Sequence, residues 1–344
     1  MHEVETADLE GETDRWAREP IDLTCERPIR VVSLPRKKGS RLVLTVMHLA
    51  VDGAGAAAVA HVFGAYLHGV EPALPLDRRR DIASVLERVS LRHLPLLGLE
   101  MLDALAQPMR LLRAAPREKQ YRESYAGPSW RWIVLPATEV ERLKARCGTS
   151  INDVLVAAMA SVAARHSRDG AVAVTYTMDL RRYRERPRLS AANTSSILTA
   201  IVPRAVIGDL PTTARGVSEI THEHRRGFAG PAFVLTPILM GLGMPHAMLR
   251  AITPWIAPII VDLPLSRGLM VTNVGRVDDG LRAFGDAVED IRIIGPTIRG
   301  IRTPAVVAYG FRGELHLELY AGPELSPSSL DDLERELRES LSLE

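Results

Sequence analysis

Two hydrophobic periods alternate along this chain, unbroken or every-second-residue apolar runs and runs in which apolar side chains recur every three or four positions, and they predict strands and helices in turn. Arg41 to His48, RLVLTVMH, is β-branched and apolar enough for a buried strand. The stretch AGAAAVAHVFGAYLHG after it predicts a helix with Val59, Val62, Phe63 and Tyr66 on one face, reached through the link LAVDG. Residues 81 to 114 show mixed three and four spacing, interrupted at Pro95 and Pro108, and predict two or three amphipathic helices. Further on come a strand, RWIVLP, and a mostly polar helix from Ala137 to Arg146. In TSINDVLVAAMASVAARHS, Ser150 is placed to cap a helix, with Asp153 three residues later and Ile151, Val154, Leu155, Ala158 and Val162 as its buried stripe. AVAVTYTMDLR and SSILTAIVP predict strands, residues 212 to 226 a helix, and GLMVTNVG another strand. The chain closes with a hairpin turning at Phe311 to Gly313 and a capped helix in SPSSLDDLERELRESL.

This alternation implies an α/β or α+β protein, and 344 residues with 46% apolar side chains suffice for one large core or two medium ones. The polar stretch from 116 to 129 suits an exposed connection, which puts a lobe boundary near Gly127, with residues 1–128 as one lobe and 129–344 as the other. Forty-three basic against 42 acidic side chains give no reason to expect nucleic acid as a partner. Two distant cysteines, Cys25 and Cys147, and an acidic, polar N-terminus without a signal-like run lead to an expected cytoplasmic location. From Gly227 to Val261 Arg250 is the only charged side chain, but five prolines interrupt any spanning helix. The segment is expected to be a buried helical pair or an apolar wall, which leaves room for peripheral membrane contact but not for a transmembrane span.

Chemistry enters at MHLAVDGAG, where His48, Asp52 and Gly53 form the pattern H-x-x-x-D-G between a predicted strand and a predicted helix. A histidine at the end of a buried strand is held rigidly and can face a cleft, and a tight turn needs glycine. An imidazole that titrates near neutrality can take a proton from a hydroxyl or amine as that group attacks a thioester carbonyl. Two other readings stand beside this one. His48 could be a satisfied core histidine with Asp52 an ordinary turn residue, or the pair could share a metal; the strand-like LVLTVMH breaks the helical geometry a metal would need, and no further ligand cluster appears.

HLAVDG resembles the active-site signature of the superfamily with the chloramphenicol-acetyltransferase-like fold: peptide-synthetase condensation domains, wax ester synthases, alcohol acetyltransferases, polyketide-associated acyltransferases and plant BAHD enzymes. That signature has two histidines, and Met47 stands where the first would be. SINDVLVAAMASVAARH is similar to a helix of the wax ester synthases, MDLRRY and AANTSS to the D-x-R and downstream G-N segments of the second lobe, MVTNVGRV to its S-N-x-G-type strand, and AYGFRGELHLELYAG to the closing hairpin. The ordered set spans most of residues 16 to 325. Relatives begin with a further strand and helix before the segment matching DRWAREPIDLTCERPIRV, so either the true start lies upstream or the N-terminal lobe is shortened.

The resemblance implies two lobes, each a mixed sheet flanked by helices, with the active site between them. It implies that His48 is the general base and that Asp52, beside Gly53, turns away to hold the loop, with Arg181 as its ion-pair partner; the rival for Arg181 is a solvated charge in LRRYRERPR. Thr272 and Asn273 are candidates to hold the oxyanion, against simple strand-end turn chemistry for an Asn so close to Gly275. The implied reaction moves an acyl group from acyl-CoA or a phosphopantetheinyl thioester on an acyl carrier protein to a hydroxyl or amine, in lipid or natural-product metabolism, with no resident cofactor or metal. The alternative is a non-catalytic module that docks an acidic carrier protein through Arg78 to Arg80 or the 181–188 run. A third reading is cyclase or epimerase chemistry on a carrier-bound chain.

Overall fold

The computed structural model describes the chain except residues 1, 4–5, 7, 73–75, 78, 80–81, 115–128, 168–169, 185–188, 242–243, 258–268, 296–303, 323–324, 326–327 and 344. The stretch expected to connect two lobes, together with the boundary near Gly127, lies outside the described residues.

The first half carries a small mixed sheet in which β1 (His2–Glu3) runs parallel to β2 (Ile29–Pro35), and β2 pairs antiparallel with β3 (Ser40–Val46). Helix α1 (Leu9–Arg18) is fastened to it by Arg41, which pairs with Glu10 at 2.9 Å, and by buried Arg30, which donates to the carbonyls of Glu19 and Pro20. Helix α2 (Gly53–Leu67) follows, then the two-residue strand β4 (Leu76–Asp77) and α3 (Leu94–Ala114). The expectation of two or three helices here is corrected. Pro95 falls in the first turn, where its missing N–H costs nothing, and α3 continues through Pro108.

The second half is organised by a six-stranded mixed sheet, ordered β5 (Ser129–Leu135), β11 (Glu314–Ala321), β10 (Ala305–Phe311), β9 (Leu269–Arg276), β6 (Ala171–Asp179), β8 (Ser195–Pro203). The β10–β11 hairpin turns through Arg312 at φ 51° and Gly313 at φ 83°. The pair β10 and β9 is parallel, as is β9 and β6. One face is covered by α4 (Ala137–Cys147), α5 (Ile151–Arg165), α6 (Leu210–Arg226), α7 (Ala229–Gly241) and α9 (Ser328–Leu341), and the main core lies there. Because strand side chains alternate, Leu315, Leu317 and Leu319 point into that core while His316, Glu318 and Tyr320 point to the opposite face. Tyr320 there packs with Trp130, near Ala17 of α1.

Helix α5 is capped as its sequence requires, Ser150 Oγ accepting from Asp153 N, but every residue from Asp153 to Ala160 is buried. The predicted stripe is therefore one side of a central helix packed all round by sheet and helices. The Pro-rich stretch is also revised. In α7, Ala232 and Leu235 join the core, whereas Ile238 and Leu239 are exposed, and α8 (His246–Ala257) leaves Met248 and Trp255 in solvent, so the two do not form a buried pair. Among the described residues no single helix is long and apolar enough to cross a membrane.

Candidate active site

Strand β3 ends at Val46, two residues short of His48, which corrects the expected strand-end placement. Met47 N still donates to the carbonyl of Pro28, and then the carbonyl of Met47 accepts from Ala50 N at 2.9 Å and Val51 N at 3.3 Å, closing a turn. His48 is exposed on that turn. Its rigidity comes from hydrogen bonds at both ends: Nδ1 lies 2.9 Å from the carbonyl oxygen of Val51, and its own carbonyl accepts from Nδ2 of Asn193 at 2.9 Å. A carbonyl can only accept, so Nδ1 carries a proton, and in the neutral ring the lone pair lies on Nε2.

Asp52 begins α2 and is buried. Its Oδ1 accepts from Gly55 N at 2.7 Å and from Arg181 Nη2 at 2.9 Å, and its Oδ2 from Thr194 N at 2.8 Å and Arg181 Nη1 at 3.0 Å. Four donors occupy both oxygens, so this carboxylate is spent on geometry and has no capacity left for a reacting group. Arg181 is 7% exposed, which excludes the solvated-charge reading, and it also donates to the carbonyls of Ser190 and Ala192 and to Asp179. Residues 190–194 thus clamp the turn from the second half. Nothing in the sequence marks them for this task, because most of their contribution comes from backbone groups that every residue carries.

Gly53 is required for a different reason than a tight turn. It is not among the glycines with positive φ, and a Cβ on it would lie 2.7 Å from Cγ2 of Val274. The start of α2 therefore rests directly on β9. Farther along α2 the same close packing recurs, since a Cβ on Gly280 would meet the carbonyl of Ala57 and one on Gly64 would meet Phe284. The face expected to be buried is corrected accordingly: Gly55, Ala58, Ala60, His61, Gly64 and Ala65 are buried, while Tyr66 is 82% exposed. Small residues allow the close approach, and the large ones sit at the margin.

Val274 brings β9, and with it Thr272 and Asn273, next to the motif, though no hydrogen bond between either residue and His48 exists among the described residues. Asn273 Oδ1 accepts from Gly275 N at 2.9 Å, and Gly275 has φ 82° beside the register shift where Ala308 and Tyr309 of β10 pair. This is local turn chemistry. Thr272 pairs across to Val307, half-buried. Among the described residues no three His, Cys, Asp or Glu side chains cluster as metal ligands would.

Two arginines of the basic run from 181, Arg181 and Arg184, are buried, while Arg182 is exposed. Arg184 is fully buried and donates to Asp77 Oδ2 and Ser84 Oγ, each at 3.1 Å. Arg79 forms a fork on Asp77 and reaches Glu87. The hydrogen bonds from Arg79, helped by the Arg184 charge, hold the Asp77 carboxyl at about 2 despite its burial. Arg78, Arg80 and residues 185–188 lie outside the described residues.

No family model and no curated protein matches this sequence. Solved structures do. The epimerization domain from the third module of tyrocidine synthetase B superposes with a TM-score of 0.63 at 16% identity, over 99% of this chain and 78% of that one. The first condensation domain of the CDA synthetase gives 0.61 at 17% identity, over 99% and 73%. This chain has the condensation-domain fold. A starter condensation domain of rhizomide synthetase in complex with C8-CoA and Leu-SNAC matches that fold equally, at 0.63 and 16% identity over 100% and 76%. In this fold a two-lobed, chloramphenicol-acetyltransferase-like arrangement puts the clamped turn of the first half against the second.

Proposed function

We propose that the chain is an acyltransferase that moves an acyl group from a thioester, on CoA or on a carrier protein's phosphopantetheine, to a hydroxyl or amine, with His48 as general base. The observation that carries this reading is the pinned imidazole. Nδ1 is committed to the Val51 carbonyl, so in the neutral ring the lone pair lies on Nε2, and the saturated Asp52 and Arg181 pair keeps the turn in place. As the acceptor oxygen or nitrogen bonds to the thioester carbonyl carbon, Nε2 takes its proton. Collapse of the tetrahedral intermediate breaks the C–S bond, and the sulfur leaves as a thiol with the proton returned by the imidazolium. Thr272 Oγ1, on the strand against Gly53, and Asn273 Nδ2 are the candidate donors toward the oxyanion; the Gly275 turn takes only the Asn273 Oδ1, which accepts.

That a neighbour of the same fold was captured with C8-CoA supports an acyl thioester as donor. The boundary between lobes is placed near Gly127, and no permanent cofactor is required. The docking-module reading loses part of its basis, because Arg181 and Arg184 are buried in ion pairs and present no basic face.

The test is thiol release from short and long acyl-CoAs and a carrier-bound acyl group, offered with mixed alcohols and amines. His48→Ala is expected to lower the rate by about 10²–10⁴-fold with the fold intact. Direct attack predicts no acylated protein by intact mass; an acyl-enzyme, or a rate indifferent to His48, overturns the proposal.

A further inference from the structure

The helical turn Leu180–Tyr183 sends a second cation toward the first half. Arg181 reaches Asp52, and Arg184, capping the same turn, reaches Asp77 and Ser84 of the 76–87 stretch. Asp77 also meets the second half through its backbone, for β4 pairs in parallel with β7 (Leu189–Ser190) in the register that sets Asp77 opposite Ser190. The carbonyl of Ser190 is one of the acceptors that fix Arg181, at 3.0 Å. One continuous set of contacts therefore runs from Arg184 through Asp77 and Ser190 to Arg181, Asp52 and the turn that carries His48.

We propose that Asp77 and Arg184 are positioning residues for His48: they set the register of β4 on β7, and through Ser190 the orientation of the Arg181 guanidinium that holds the active turn. The inference rests on the base assignment made above and deepens it.

Two physical points favour register over bulk stability. A fully buried ion pair generally gains less than a well-packed apolar pair of the same volume, because both charges are stripped of water. Arg184 is in that position, wholly buried with Nε unpartnered, so its presence is poorly explained as a source of stability. A two-strand contact of two residues each is also too short to specify its own register, and a slip by one residue would carry the Ser190 carbonyl away from Arg181. The hydrogen bonds that Arg184 donates to Asp77 and Ser84 fix what the short ladder leaves open.

The experiment follows His48 by side-chain nitrogen NMR in histidine-labelled protein, alongside the thiol-release rate, in Asp77→Asn and in Ser84→Ala, which takes away the hydroxyl that accepts from Arg184 and leaves Asp77 in place. Thr221→Val, in the hydrogen-bonded network around Asp153, serves as a destabilised control. In wild type the resonances should report the Nδ1–H tautomer. Both test variants should shift them toward a tautomer mixture and lower the rate by about tenfold, while the control keeps the wild-type signals. Ser84→Ala keeps the question answerable where Asp77→Asn does not fold. Unchanged His48 resonances in Ser84→Ala, or the same shift in the control, overturn the proposal. A tautomer shift in the variants with no thiol release even from wild type upholds the positioning and sinks the acyltransferase reading instead.

Discussion

Two buried carboxyls, Asp77 and Glu318, show how partners decide what burial does to a charge. Asp77 is buried between halves, and the fork from Arg79 with the charge of Arg184 brings its titration down to about 2. Glu318 is buried more completely on the far face of the large sheet, and among the described residues it accepts from the backbone N–H of Gly295, at 2.9 and 3.2 Å. The Gly295 amide does not offset the loss of water, so burial raises the Glu318 carboxyl well above the ordinary value. The first region is an ionic clamp with specified geometry. The second is an anchor under the segment around Ile291–Gly295, which Tyr309 also holds by donating to the Ile291 carbonyl.

The comparison is broken most severely by Arg181→Met. That change leaves Asp52 with backbone donors alone, which is the situation of Glu318, and should cost about 3–5 kcal/mol in urea unfolding. It should also lower thiol release, since the turn loses its anchor.

Next in size is the acid limb. Asp77 has a depressed folded value, so its contribution is fully present above the unfolded value near 3.8 and is lost as pH falls from there to about 2. The loss should amount to about 2 kcal/mol, and Asp77→Asn should flatten this part of the stability profile. A profile with the same slope in the variant would assign the acid limb to other carboxylates.

Glu318 gives the smallest effect at neutral pH and the opposite sign. Its folded value is raised, so its contribution is present at low pH and is lost as pH rises through that value. Glu318→Gln should therefore unfold with less dependence on alkaline pH than wild type, with thiol release unchanged near neutrality. A variant that loses stability equally as pH rises would mean that the carboxyl ionises without cost.

Much of the architecture was legible because it rests on short-range rules. The cap at Ser150, the turn at Arg312 and Gly313 and the alternation of β10 and β11 all follow from neighbours in sequence. So does the spacing of His48, Asp52 and Gly53. Other expectations failed where the deciding atoms lie far along the chain. The buried face of α2 could not be read from hydrophobicity, because close approach to Val274, Phe284 and Ala57–Gly280 selects small residues and pushes Tyr66 outward. The run at 181–188 reads as solvated charge by composition, yet Arg181 and Arg184 find their carboxylates 129 and 107 positions away. Asn193 and Thr194 had no signal of their own, since one acts on a backbone carbonyl and the other through its amide.

By itself, then, the sequence determined the order of strands and helices, the caps and turns, and the presence of an imidazole beside an aspartate and a glycine, all properties of bonds and periods spanning a few residues. Tertiary structure decided that Asp52 is completed by Arg181 and Thr194 from the other half, and that two arginines become buried pins. Those outcomes depend on desolvation and on the meeting of groups more than a hundred residues apart, and neither is a property of any local stretch of chain.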